Sequence, residues 1–206
     1  MKKTRAVLIA SLVINLALVC LLLLFCRAKP HESNGLELGN AVKLYDEFLR
    51  GERSVELGDA KVRIGDIFRG DEWDRYALFD MNGDGIPELH VRSSGPYEII
   101  SYRDGELVPW ESFWSYSKPL NNGALLSERP GGANSTIAYA YSVFDSYGSE
   151  QLCVRFEKAN PNDDGAYDEN SDYFFEDVKV SMDEWNALTG KYLSVGSDEI
   201  EWMSLS

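Results

Sequence analysis

Residues 75–94 read RYALFDMNGDGIPELHVRSS, and the change of rhythm inside this stretch indicates the class of the whole chain. β-forming residues dominate YALFD and return in ELHVRSS, as expected of strands bounded by turn residues. Between the two runs, DMNGDGIPEL (Asp80–Leu89) interrupts the pattern with Asn, Gly, Asp and Pro. A strand, a short acidic loop and a second strand read as an antiparallel pair.

Strand signals continue downstream. YEIISYRDGELVPW (97–110) carries Asp104-Gly105, a two-residue hairpin signal. KPLNNGALLSERPGGANS (118–135) is expected to be mostly loop, with a short strand at ALLSE. STIAYAYSVFD (135–145) and EQLCVRFEK (150–158) read as longer strands joined by SYGS, and YFFEDVKV (173–180) as a hairpin around Glu176-Asp177. Upstream, LELGNAVKLYDEFLRGE (36–52) places Leu38, Val42, Tyr45 and Leu49 at helical spacing, with Phe48 widening the stripe and Gly51 as the stop. AKVRIGDIF (60–68) reads as a strand followed by a helical turn. Ser181 and Glu184 form a capping-box pattern for a helix with Met182, Trp185 and Leu188 on one face, and EIEWMSL (199–205) reads as a last strand. No alternating βα pattern occurs. The expected class is α+β: a meandering, mainly antiparallel β-sheet with an N-terminal and a C-terminal amphipathic helix.

The acidic loop has a definite chemistry. Calcium takes six to eight oxygen ligands, which a short loop supplies from alternate residues and a backbone carbonyl. Asp80, Asn82 and Asp84 stand at positions 1, 3 and 5, Gly85 permits the sharp turn, the Ile86 carbonyl follows, and Glu88 stands at position 9. Pro87 keeps the chain from continuing as a helix. Position 12 is Val91, so the helical EF-hand, which needs a bidentate Glu there, is excluded.

NPNDDGAYDE (160–169) repeats the spacing, with Asn160, Asn162, Asp164, Gly165 and Asp168 and with Ala166 as carbonyl donor. Its first position is Asn, so it offers one fewer anionic ligand; Asp163, Glu169 and Asp172 lie near enough in sequence to compensate. For both loops, ordinary turn chemistry is the competing reading, because Asp, Asn and Gly between strands also form Asx turns.

The pattern D-x-[DN]-x-D-G-x-x-[DE] resembles the strand-loop-strand calcium loops of FG-GAP and VCBS-type repeats. That resemblance implies calcium ligation, while the propeller those repeats build needs more copies than this chain holds. RYALFDMNGDGIPEL, GALLSERPGG and DGAYDENSDYFF…EW together resemble a group of small anchored or lipidated bacterial surface proteins of unknown function, loosely over residues 40–203. The resemblance implies a bacterial surface setting and no particular activity.

Charge and the N-terminus fit such a setting. Of the 206 residues, the first 28 hold Lys2, Lys3, Arg5 and Arg27 and no acid; the remainder carries 16 basic against 34 acidic side chains, a net charge of -18. Such a field repels nucleic acid and anionic lipid and favours cations as partners. AVLIASLVINLALVCLLLLFC (6–26) is 21 residues without a charge, the length of a transmembrane helix rather than of a signal-peptide core. The expected organisation is a cytoplasmic tip and single-pass anchor over 1–28, a linker over 29–35 and an extracytoplasmic domain over 36–206, oriented by the N-terminal positive charges. Cleavage after Ala28 is a second fate for the segment, and lipidation of Cys26, with bulky Phe25 before it, a third. All three place the acidic domain outside the cytoplasm.

Cys153 is the single Cys beyond that segment, so no intradomain disulfide forms, and with only His31 and His90 a structural zinc site is excluded. Cys153 is expected to act as a buried small hydrophobe. Ser115 and Lys118 fit S-x-x-K without its companion motifs, and neither G-x-S-x-G nor H-E-x-x-H occurs. In VPWESFWSYSKP (108–119), the aromatic cluster reads as a turn packed on the sheet or as an anchor for a sugar or protein. The functional expectation is a membrane-anchored calcium-binding module for an extracellular protein or polysaccharide ligand. The alternative is a glycosidase-like cell-envelope hydrolase using acids near the aromatic run.

Overall fold

A computed structural model describes residues 35–70, 72–110, 112–114, 116–132, 135–161 and 166–204. The segment 1–28 expected to be an anchor, nearly all of the expected linker, Ser115, Asn162 and Asp164 lie outside the described residues. Among the described residues, no helix is long and apolar enough to cross a membrane.

The chain opens with α1 (Gly35–Leu49), β1 (Val55–Leu57), β2 (Ala60–Val62) and the short α2 (Ile64–Ile67). It continues through β3 (Arg75–Phe79), β4 (Glu88–Arg92), β5 (Pro96–Arg103), β6 (Glu106–Pro109), β7 (Phe113–Trp114) and β8 (Ser117–Pro119). The second half holds β9 (Leu125–Gly132), β10 (Thr136–Phe144), β11 (Glu150–Ala159), β12 (Asp172–Phe175), β13 (Val178–Val180), α3 (Met182–Leu193) and β14 (Met203–Ser204).

The α+β class holds, and every ladder is antiparallel. Among the described residues, the expected meander divides into two six-stranded sheets and a small β1-β2 hairpin. The first sheet runs β14-β3-β4-β5-β6, with β7 also on β5; the second runs β13-β12-β11-β10-β9-β8. Hairpin turns explain the connectivity. Asp104 and Gly105 (φ 50 and 86), and Glu176 and Asp177 (φ 49 and 61), hold the left-handed backbone of tight two-residue turns.

Alternation sorts the side chains onto three cores. One face of the first sheet carries Leu89, Val91 and Ile100 against Ala41, Tyr45 and Phe48 of α1. Burying each of the larger of these side chains contributes roughly 1.5–3 kcal/mol. On α1 the buried line runs through Ala41, Tyr45 and Phe48, whereas Leu38 and Val42, expected inside, are exposed. Small Ala41, completely buried, sits where the helix meets the sheet.

One face of the second sheet packs Tyr139, Tyr141, Phe156 and Tyr173 against Trp185 and Tyr192 of α3. The capping box forms as expected: Ser181 Oγ accepts from the Glu184 N–H at 3.3 Å, and Glu184 accepts from the Ser181 N–H at 3.0 Å.

The third core is the seam between the sheets. Met81, Tyr97, Ile99 and Trp110 from the first half meet Leu125 of β9. Arg92 donates a hydrogen bond to the Ser117 carbonyl, tying β4 to β8 across it. Gly123 (φ +80) approaches so closely that an added Cβ would lie 2.2 Å from the Met81 carbonyl oxygen. The β3-β4 loop is therefore wedged against the second sheet.

Strand β9 is longer than the short segment expected at ALLSE, reaching through Pro130 to Gly132. Pro130 is tolerated because β8 covers only Leu125, Leu126 and Ser127. Beyond Glu128, whose N–H donates to the Tyr116 carbonyl at 3.5 Å, no strand among the described residues pairs with that side of β9, so the N–H missing at Pro130 breaks no ladder.

Candidate metal loop and a sheet-face cleft

The acidic loop joins β3 to β4, paired from Arg75↔Arg92 to Phe79↔Glu88. That register brings Glu88 back beside the loop entrance. Its carboxylate accepts from the Met81 N–H at 2.8 Å and from Asn82 Nδ2 at 2.5 Å. Asp80 accepts from the N–H groups of Gly83 at 2.8 Å and Gly85 at 2.9 Å. Asn82 Oδ1 accepts from the Asp84 N–H and Asp84 Oδ1 from the Ile86 N–H, each at 2.8 Å. Four of the five residues singled out in the sequence thus turn their side-chain oxygens onto one short loop. Ile86 enters through its backbone.

The electrostatics are one-sided. Glu88 is 1% exposed, and among the described residues no Lys or Arg forms an ion pair with it. Burial pushes its carboxyl up to about 8; the Met81 N–H opposes this, and the charges of Asp84 and Asp80 add to it. The Tyr45 hydroxyl on α1 is also held well above its ordinary range, by burial first and then by the charge of Glu88. A buried carboxylate beside two more acids is costly unless a cation compensates or a proton is taken up.

Among the described residues, no three His, Cys, Asp or Glu side chains stand close enough to hold a metal ion by themselves. The calcium pattern includes an amide and a carbonyl, and the carboxylates here are engaged by loop N–H groups. The donor set nevertheless suits calcium: all hard oxygens, with acids at positions 1, 5 and 9. The two Asx turns at Asn82 and Asp84 show that turn chemistry operates as well. Turn chemistry alone does not account for Glu88, which is buried one strand position beyond the loop.

The second loop is partly outside the described residues, which include Asn160, Ala166 and Asp168. Asn160 is buried, and its Nδ2 donates to the Ala166 carbonyl at 2.5 Å, so the expected carbonyl donor is engaged within the loop. Asp168 is exposed and accepts from the Asn170 N–H at 2.8 Å, an Asx turn.

The remaining candidates separate. His90 is fully buried: its Nε2 donates to the Phe79 carbonyl at 3.4 Å, so its Nδ1 accepts from the Tyr97 hydroxyl at 2.7 Å. It is a core residue between strands. Cys153 is a free thiol and only half-buried, less enclosed than expected. Trp110 is buried, as a packed turn requires, with its Nε1 donating to Ser101 Oγ at 3.2 Å.

Trp114 departs from that expectation. It is 68% exposed and stacks on Tyr116, with ring centroids 6.0 Å apart. The pair borders a cleft of about 520 Å³ on the second sheet, on the face turned away from α3. Ala138 and Ala140 form its floor, and Arg129, Arg155, Glu157 and Asp177 supply charge. Sequence reading missed this cleft; its signal was the Ala-Tyr-Ala-Tyr alternation of β10, which puts small residues on one face and aromatics on the other.

Comparison with protein-family models, curated proteins and solved structures yields no match to this chain.

Proposed function

We propose that the chain is a single-pass membrane protein of a bacterial surface. Its extracytoplasmic domain binds calcium as a structural element and acts as a binding module. The observation that carries the calcium reading is Glu88: buried, without a basic partner among the described residues, and close to Asp80 and Asp84. A cation held by Asp80, Asn82, Asp84, the Ile86 carbonyl and Glu88 would neutralise that group. Because Met81 packs into the seam, the same ion would brace the junction of the two sheets. A second ion at Asn160, Asn162, Asp164, Ala166 and Asp168 is a weaker extension, supported by the repeated spacing.

Extracellular sites bind calcium at roughly 0.1–1 mM, so a few-millimolar bath adds about 1–2 kcal/mol per site. That magnitude suits a brace rather than a switch. The Trp114-Tyr116 pair at an open, charged cleft favours binding over hydrolysis as the role of the aromatic run, with an extracellular protein or polysaccharide as ligand. Calorimetry of the full chain in mild detergent tests the calcium reading. Saturable heat and a raised melting temperature at millimolar calcium are expected, both reduced in Asp80→Ala/Asp84→Ala to the smaller share that the second loop supplies. No heat and no melting shift in the wild type would overturn it.

A further inference from the structure

At the end of the β3-β4 hairpin away from the acidic loop, Arg75 and Arg92 stand directly opposite each other across the ladder. Like charges at such a position repel. The chain carries 34 acids against 20 basic side chains, yet among the described residues neither Arg forms an ion pair with a carboxylate.

Arg92 is held rigidly. Its guanidinium lies 5.3 Å from the Tyr97 ring centroid and 4.7 Å from that of Trp202, and it donates to the Ser117 carbonyl. Its Nε is buried without a hydrogen-bond partner. A half-buried guanidinium is normally matched by an anion, because desolvating it alone is unfavourable.

Both arginines face a cavity of about 380 Å³, whose other walls are Glu72, Trp73 and Trp202. Trp73, 60% exposed, stands at the rim. The geometry points to a binding site for a small carboxylate carrying a flat apolar ring: the carboxylate meets Arg75 and Arg92, and the ring packs on Trp73 and Trp202. Guanidinium groups take carboxylates in forked, charge-assisted pairs, and indole faces take rings. Glu72 on the wall, together with the acidic field of the chain, disfavours a dianion and selects one negative charge over two. The site is independent of the calcium reading, since none of its residues belongs to either acidic loop.

The test is calorimetry of the full chain in mild detergent, with calcium chelated, against benzoate, benzamide and inorganic phosphate. Benzoate is expected to bind saturably, with benzamide and phosphate at least about tenfold weaker. Arg75→Gln and Trp73→Ala change exposed side chains and are each expected to weaken benzoate; Arg92→Lys is expected to abolish its binding. Should Arg92→Lys fail to fold, the two surface variants decide. Absence of saturable benzoate binding, equal binding of benzamide or phosphate, or unchanged affinity in both surface variants would each overturn the proposal.

Discussion

Asn82 Nδ2 donates to Glu88 Oε1 at 2.5 Å, joining the third position of the acidic loop to its ninth. Through this contact a buried carboxylate is held over the loop by an amide and a backbone N–H, with two further acids beside it. The Glu88 carboxyl is raised from 4.5 to about 8, so in chelator its contribution to stability is complete below pH 4.5 and is lost as pH rises through 8. Glu88→Gln removes that titration. In chelator above pH 8 the variant is expected to melt at or above wild type, and added calcium should raise its melting temperature clearly less than in wild type. A variant that gains as much stability from calcium as wild type would remove Glu88 from the ligand set.

His90 titrates with the opposite sign. Burial lowers it from 6.5 to about 4, so the unfolded chain takes up the proton first. Its stability contribution is present above pH 6.5 and is lost as pH falls through 4, by roughly 3 kcal/mol. Between pH 4.5 and 6.5 the slopes of Glu88 and His90 oppose each other. Denaturant melts in chelator should therefore expose a steep acid-side loss in Glu88→Gln, and a flatter profile in Glu88→Gln/His90→Gln.

The approach of Gly123 to the Met81 carbonyl predicts an asymmetry between two glycines. Gly105 has φ +86 with open space around it, whereas Gly123 has φ +80 and a carbonyl in the path of any Cβ. Gly105→Ala is expected to cost roughly 1 kcal/mol of backbone strain. Gly123→Ala should cost clearly more and also weaken calcium binding, because the intruding methyl displaces the loop. Equal costs in chemical denaturation would dissociate the loop from the seam.

The cap of α3 is a local prediction. Ser181→Ala removes the acceptor for the Glu184 N–H and should cost about 1 kcal/mol in denaturant unfolding. The loss should be the same with and without calcium, since α3 packs on the second sheet rather than on the loop.

What was legible in the chain was mostly short-range. The Asp104-Gly105 and Glu176-Asp177 turns, the Ser181-Glu184 box and the β3-loop-β4 hairpin are each specified by residues a few positions apart, and each formed as read. Side choice on α1 was not legible, because Leu38 and Val42 are as apolar as the residues that face the core. Exposure of Trp114 was equally hidden, since it depends on β7 pairing with Pro96 and Tyr97 of β5. The Arg75-Arg92 pair follows from the hairpin register, but its lack of carboxylate partners among the described residues is a tertiary fact. For the metal loop, residue types and spacing were readable, and the burial of Glu88 was supplied by α1 and the sheet.

The most direct test of the calcium reading is crystallography of the full chain grown at millimolar calcium, with the anomalous signal used to place the ion. An ion is expected within loop 80–88, ligated by Asp80, Asn82, Asp84, the Ile86 carbonyl and Glu88, with the Asn82-Glu88 hydrogen bond broken. A loop without an ion and with that bond intact, in crystals saturated with calcium, would contradict it.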